Sequence, residues 1–298
     1  MIAAIILVAC LSAADPAWAH SGHVSEARWN WDLWVVLPLA LSAGLYAQGV
    51  SNLWTRAGWG RGIRVSRVLA FAAGWLLLGA AVVSPLHAMG EELLTAHMIE
   101  HELLMIAAAP LLAFSRPIGA LLWALPRSPR QRLIAAAHFR PLARGWHCLT
   151  APFAATVLHG AAIWMWHAPP LFEAAVVAPA LHRLQHLSFL ASALLFWWAL
   201  ARLPKREYGL GAAQLFLTMV HTGLLGALLT LSPRVLYPLQ SEHAALWGLR
   251  PIEDQQLAGL VMWVPAGVVY LGAALAMIGL WLARSSATAF RGGELAAR

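Results

Sequence analysis

What most constrains this chain is a series of apolar runs, each about as long as a bilayer is thick, joined by connections too short to fold alone. Crossing the hydrocarbon takes ~20 apolar residues. Segments that meet this need fall at about 33–53, 66–86, 93–114, 151–167, 181–201, 210–231 and 257–282. A further run, Ile118 to Leu125, is bounded by Pro117 and Pro126 and is too short to cross, so it is expected to lie in the interface. The composition agrees, because 60% hydrophobic and 11% charged residues cannot make a water-soluble globule. The expected fold is therefore an all-α integral membrane protein of seven transmembrane helices.

Residues 1–19 read as a signal peptide, an apolar run ending in the small-residue pattern Ala17-Trp18-Ala19. Removing it leaves residues 20–32 as an exported segment, 33–283 as the seven-helix domain and 284–298 as a cytoplasmic tail. His20-Ser21-Gly22-His23 would then stand at a free amino terminus, where an imidazole and a primary amine can chelate a metal.

With the amino terminus exported, the connections alternate between the two sides, and charge tests the assignment. The inner side receives Arg56, Arg61, Arg64 and Arg67, then Arg116 through Arg144, then Arg202, Lys205 and Arg206, and finally Arg284, Arg291 and Arg298. Only Arg28, Arg183, Arg234 and Arg250 fall outside, as the positive-inside rule requires. The outer face is acidic and attracts cations. The net charge of +7 thus reflects topology, and with no basic stripe or stacking platform the chain is not expected to bind nucleic acid. Cys10 and Cys148 are the only cysteines, which excludes a disulfide framework and a cysteine-based zinc site.

Thirteen histidines can then be sorted by side. Nine lie at or near the outer face: His20, His23, His87, His97, His101, His167, His182, His186 and His243. Two pairs carry the sharper signal. His97 and His101, and again His182 and His186, are spaced i, i+4, which puts both imidazoles of a pair on one helical face. Ionisable groups within a membrane segment are costly and point to function. His97, His101, His182 and His186 are therefore the expected metal ligands, with His167 and Met105 as auxiliary ones. Imidazole with thioether suits copper, and Met98 stands where a zinc protease motif needs Glu. No glycine-rich nucleotide loop and no activated Ser or Cys nucleophile is evident, so the chain is not expected to be an enzyme. Asp254, beside Glu253, is read as favouring the positive start of its own helix, or else as binding a cation or pairing with an outer Arg.

Three stretches also resemble a known family. They are His97-Met98-Ile99-Glu100-His101 through Met105 to Arg116-Pro117; Trp166-His167-Ala168-Pro169 through His182 and His186 to Phe196-Trp197-Trp198; and Leu231-Ser232-Pro233-Arg234 with Asp254-Gln255-Gln256-Leu257-Ala258-Gly259 and Met262-Trp263-Val264-Pro265. Their order over roughly residues 30–285 resembles the CtaG family of multi-spanning cytochrome c oxidase assembly factors. Glu102 departs from that pattern, which has an apolar residue or Met there. The resemblance implies a bacterial inner-membrane protein that helps mature a haem-copper oxidase through copper handling, with oxidase subunits and periplasmic copper chaperones as partners. Two other readings compete on the residues alone. One is a haem b electron-transfer protein ligated by the paired histidines. The other is a metal transporter using His159 and His221 as mid-membrane steps.

Overall fold

The computed structural model describes residues 28–296, with side chains described through residue 283. The expected signal peptide and the amino-terminal His20 and His23 lie outside the described residues. The described chain is helical from Leu33 onward, broken only by short turns and one longer loop.

Asp32 begins helix α1 (Leu33–Ala57), its carboxylate accepting from the Trp34 amide at 2.9 Å. Gly58, Gly60 and Gly62 all have positive φ, and this glycine turn reverses the chain into α2 (Val65–Val82). Ser84 caps the short α3 (Pro85–Glu92). Next comes α4 (Leu94–Glu102), whose first amides are capped from far along the chain. Asp254 accepts from Leu94 N at 2.8 Å and from Thr95 N at 2.9 Å. The carboxylate is thus saturated by another helix's amides, which replaces the cation-binding or Arg-pairing role expected for it.

After Glu102 the helix widens into a π turn, Leu103–Ala108, before α5 (Ala109–Ser115). Pro110 accounts for it. The Ala109 amide already bonds Leu104 O, five residues back. In that register residue 110 would reach Met105 O, but proline has no N–H to give. Trp197 Nε1 supplies the missing donor at 2.9 Å, tying the π turn to a neighbouring span.

Arg116, in the left-handed region at φ 53°, ends α5 and turns the chain into α6 (Ile118–Ala124). This helix packs tightly on α1, and a Cβ at Gly49 would lie 1.8 Å from Ala120 O. Then follow α7 (Arg127–Ala137) and α8 (Arg140–Leu149), neither of which buries a residue. A 65° bend separates α8 from α9 (Pro152–Trp166). Helices α10 (Pro169–Val177), α11 (Pro179–Arg202), α12 (Tyr208–Leu231) and α13 (Pro251–Ala296) complete the chain. Pro265 lies inside α13 without ending it. Helices α12 and α13 meet at glycines, since a Cβ at Gly226 would stand 2.8 Å from Gly259 O.

Six helices among the described residues are long and apolar enough to cross a membrane, or seven if the bent pair of α8 and α9 counts as one span. The expected fourth span is the exception. Helix α9 has only 15 residues, about 22 Å at 1.5 Å per residue, short of a hydrocarbon core of about 30 Å. Pro152 at its start and Pro169 just beyond its end bound it.

The main core gathers Phe172, Phe189, Phe196, Trp197 and Tyr270 among α9–α13. The loop 232–250 folds over the end of the bundle where α4, α11 and α13 begin. Its Tyr237 donates to His167 O at 2.7 Å, and Trp247 donates to Glu92 at 3.0 Å. Tyr237, Gln240, Ser241 and Ala244 are its buried residues, and connections this long are uncommon in compact folds.

Candidate metal centre

Four helical segments bring histidines to this end of the bundle: His87 from α3, His97 and His101 from α4, His167 from the end of α9, and His182 and His186 from α11. The i, i+4 spacing acts as expected. The ring centroids of His97 and His101 are 4.2 Å apart, and those of His182 and His186 are 4.3 Å apart. The two helices also present their pairs to each other. His97 lies 5.3 Å from His182 and 5.7 Å from His186, and His101 lies 5.0 Å from His186.

The four imidazoles do not form a single four-nitrogen set, however. Ligand atoms within 4.8 Å of one another fall into two overlapping sets. One is His87, Glu100, His182 and His186; the other is His97, His101 and His186. His186 belongs to both.

Glu100 organises the first set. It is fully buried, accepts from His87 Nδ1 at 2.8 Å, and has His186 Nδ1 at 3.5 Å from the same oxygen. That leaves Glu100 Oε2 without a partner. His87 lies outside the spans; burial works against its protonation, but the charge and hydrogen bond of Glu100 outweigh this, so its pKa is raised from the ordinary value. Carboxylates that orient ligating imidazoles act in this way at metal sites.

Both nitrogens of His97 and His101, and Nε2 of His167, His182 and His186, are likewise buried with no hydrogen-bond partner. Buried polar atoms are ordinarily paired, and each orphan costs about 1–3 kcal/mol. So many in one place form a set of nitrogen donors that could hold a metal ion.

The auxiliary candidates separate. His167 Nδ1 donates to Ile163 O at 2.7 Å, which leaves its unpaired Nε2 as a lone pair. Its ring lies 6.1 Å from His101, at the rim of the second set. Met105 sits in the π turn and packs within the main apolar core. His159 lies apart, with its nitrogens 3.1 Å from Ser192 Oγ and 3.3 Å from Tyr270 Oη.

The sequence reading left His87 and Glu100 out of its ligand set. Glu100 carried a usable signal, because i+3 from His97 places it on the same side of α4. His87 carried none, since only the packing of α3 on α4 brings it to Glu100.

Fold and site together define a polytopic helical membrane protein with buried histidine clusters at one end that could hold a metal ion. A family model, the cytochrome c oxidase caa3 assembly factor family (CtaG), matches residues 44–284, and the chain belongs to that family. It is also similar to an uncharacterized protein of Mycobacterium bovis and another of Mycobacterium tuberculosis. Each is 27% identical over 278 residues, covering 88% of this chain and 40% of the relative. The chain thus spans less than half the length of these relatives. No solved structure matches it.

Proposed function

We propose that this protein holds a copper ion in transit and helps load it into cytochrome c oxidase, as a carrier and not as an enzyme. The observation that carries the reading is the convergence of unpartnered buried imidazole nitrogens from α4 and α11. Nitrogen donors favour copper most strongly among the divalent first-row metals. The set with Glu100 also suits a monovalent ion, since one carboxylate balances one cuprous charge and leaves no net charge buried.

A carrier must also release its cargo. Two ligand sets that share His186 supply a route, because the ion can exchange partners around that imidazole without ever being fully freed. A single closed four-coordinate cage would retain it. The acidic side chains near this end are a capture surface. The basic residues gathered at the opposite end support a reading in which the centre faces the exported side of the bacterial inner membrane, within reach of periplasmic copper chaperones and of the oxidase subunits.

Metal analysis of the purified chain tests the reading. Wild type is expected to retain stoichiometric copper and His97→Ala/His101→Ala to lose it. Equal copper in both would overturn the assignment. A Soret band in the purified protein would favour haem ligation instead, and copper uptake into vesicles would favour transport.

A further inference from the structure

The opposite, basic end of the bundle holds a second convergence that the copper reading does not use. Arg67 from the first turn of α2, Arg116 from the corner between α5 and α6, and Arg202 from the last turn of α11 line one pocket of about 460 Å³. Three separated segments therefore turn like charges toward a common space. The charges of Arg116 and Arg67 act directly on Arg202. Among the described residues none of the three has a carboxylate partner within ion-pair distance. Arg67 is half-buried and Arg116 and Arg202 are exposed, so water already eases their mutual repulsion and an anion in the pocket would relieve the rest.

Two further features show that the arrangement is specified. Arg116 is the only described non-glycine residue with positive φ, a backbone state that a long side chain rarely adopts. Trp198 holds the Arg202 guanidinium 4.0 Å from its ring centroid, and it shares the pocket wall with Trp123 and Ile63. Guanidinium forks match phosphate oxygens, and tryptophans at the ends of membrane spans mark the headgroup level.

We propose that this pocket binds the phosphate of an anionic phospholipid, with the three guanidiniums on the headgroup and the apolar wall against the glycerol and upper acyl carbons. The lipid source, in preference to free phosphate, follows from the setting: the pocket has indole and aliphatic walls and sits at the ends of membrane-spanning helices. Basic pockets between spans recognise such headgroups. This inference is independent of copper.

The test uses the purified full chain offered equal amounts of phosphatidylglycerol and phosphatidylcholine, with bound lipid counted by native mass spectrometry. Wild type is expected to retain the anionic lipid about tenfold or more over the zwitterionic one. The triple variant Arg67→Gln/Arg116→Gly/Arg202→Gln is expected to lose that preference. Glycine is chosen at 116 because it keeps the left-handed backbone. A control triple, Arg127→Gln/Arg132→Gln/Arg144→Gln, removes the same charge from the same end and is expected to keep the preference. No preference in wild type, or equal loss in the control, would overturn the proposal. Displacement of the lipid by millimolar inorganic phosphate would also overturn it and assign the pocket to a free anion. A circular dichroism spectrum and a detergent unfolding temperature equal to wild type's show that the pocket variant has folded, so its lipid result can be read.

Discussion

The two ends of this bundle are built on opposite principles. At the acidic end polar groups are buried, and other helices complete one another's termini, as Asp254 of α13 does for α4. At the basic end α7 and α8 bury no residue, and their arginines are exposed apart from Arg130, which stacks on Trp123. The first arrangement packs histidines that could hold a metal ion beneath a loop; the second leaves its charges largely exposed. Charge near a membrane is inexpensive where it can reach water and costly where it cannot. The buried end must therefore be specified atom by atom, whereas the open end needs only a surplus of one sign.

The largest effect should come from breaking the enclosure itself. Asp254→Ala leaves the Leu94 and Thr95 amides without their shared acceptor, while the Thr95 hydroxyl keeps the residue 254 carbonyl at 3.0 Å. Hydrogen bonds to a charged group are worth about 1.5–3 kcal/mol each, so a loss of ~3 kcal/mol or more is expected. Thermal unfolding in detergent measures it, and a variant as stable as wild type would show that the cap is dispensable.

The next effect separates enclosure from donor chemistry. Glu100→Gln keeps the shape of the site but removes its charge. Because Glu100 orients His87 and lies beside His186, copper affinity is expected to fall about 10–100-fold with little change in unfolding temperature. An affinity unchanged in a competition titration would reduce Glu100 to a packing role.

How much of this was legible in the sequence follows the same division. Features set by local period could be read: the apolar runs, the side-by-side imidazoles of His97 with His101 and of His182 with His186, and the charge asymmetry. Features set by long-range packing could not. Asp254 lies 160 residues from the amide it caps, and nothing in Glu253-Asp254-Gln255 names α4 as its target. The loop 232–250 reads as a connection, yet its Tyr237 supports the backbone of His167. The split into two sets sharing His186 depends on rotamers that no spacing rule contains. The shortness of α9 was legible as well, because the apolar run 151–167 already stops at the prolines that bound the helix.

A smaller effect tests the π turn, the one place where a broken helix register meets the core. Trp197→Phe removes the donor to Met105 O and should cost about 1–2 kcal/mol, chiefly by leaving a buried carbonyl unpaired. Pro110→Ala restores a backbone N–H that can reach back into the same turn. In the double variant the tryptophan loss should therefore cost less than it does alone, a coupling that a double-mutant cycle on unfolding free energy reads directly. Strict additivity would mean that Pro110 and Trp197 act separately.

The smallest effects compare single arginines across the two ends. Arg183 neighbours His182 and pairs with Asp32, Nη2 to Oδ2 at 2.8 Å, with both side chains about one-fifth exposed. That pair ties the start of α1 to the helix carrying His182 and His186, so Arg183→Gln should cost about 1 kcal/mol and also loosen copper binding. Arg144 lies on α8, whose apolar Leu142, Trp146 and Leu149 are themselves exposed, as befits a helix lying in the membrane surface. Arg144→Gln removes the same charge but should change stability by less than about 0.5 kcal/mol and leave copper untouched. Equal losses for the two would mean that both ends depend on net charge alone. Unequal losses tie the effect to the particular partner each arginine has, because the charge removed is identical.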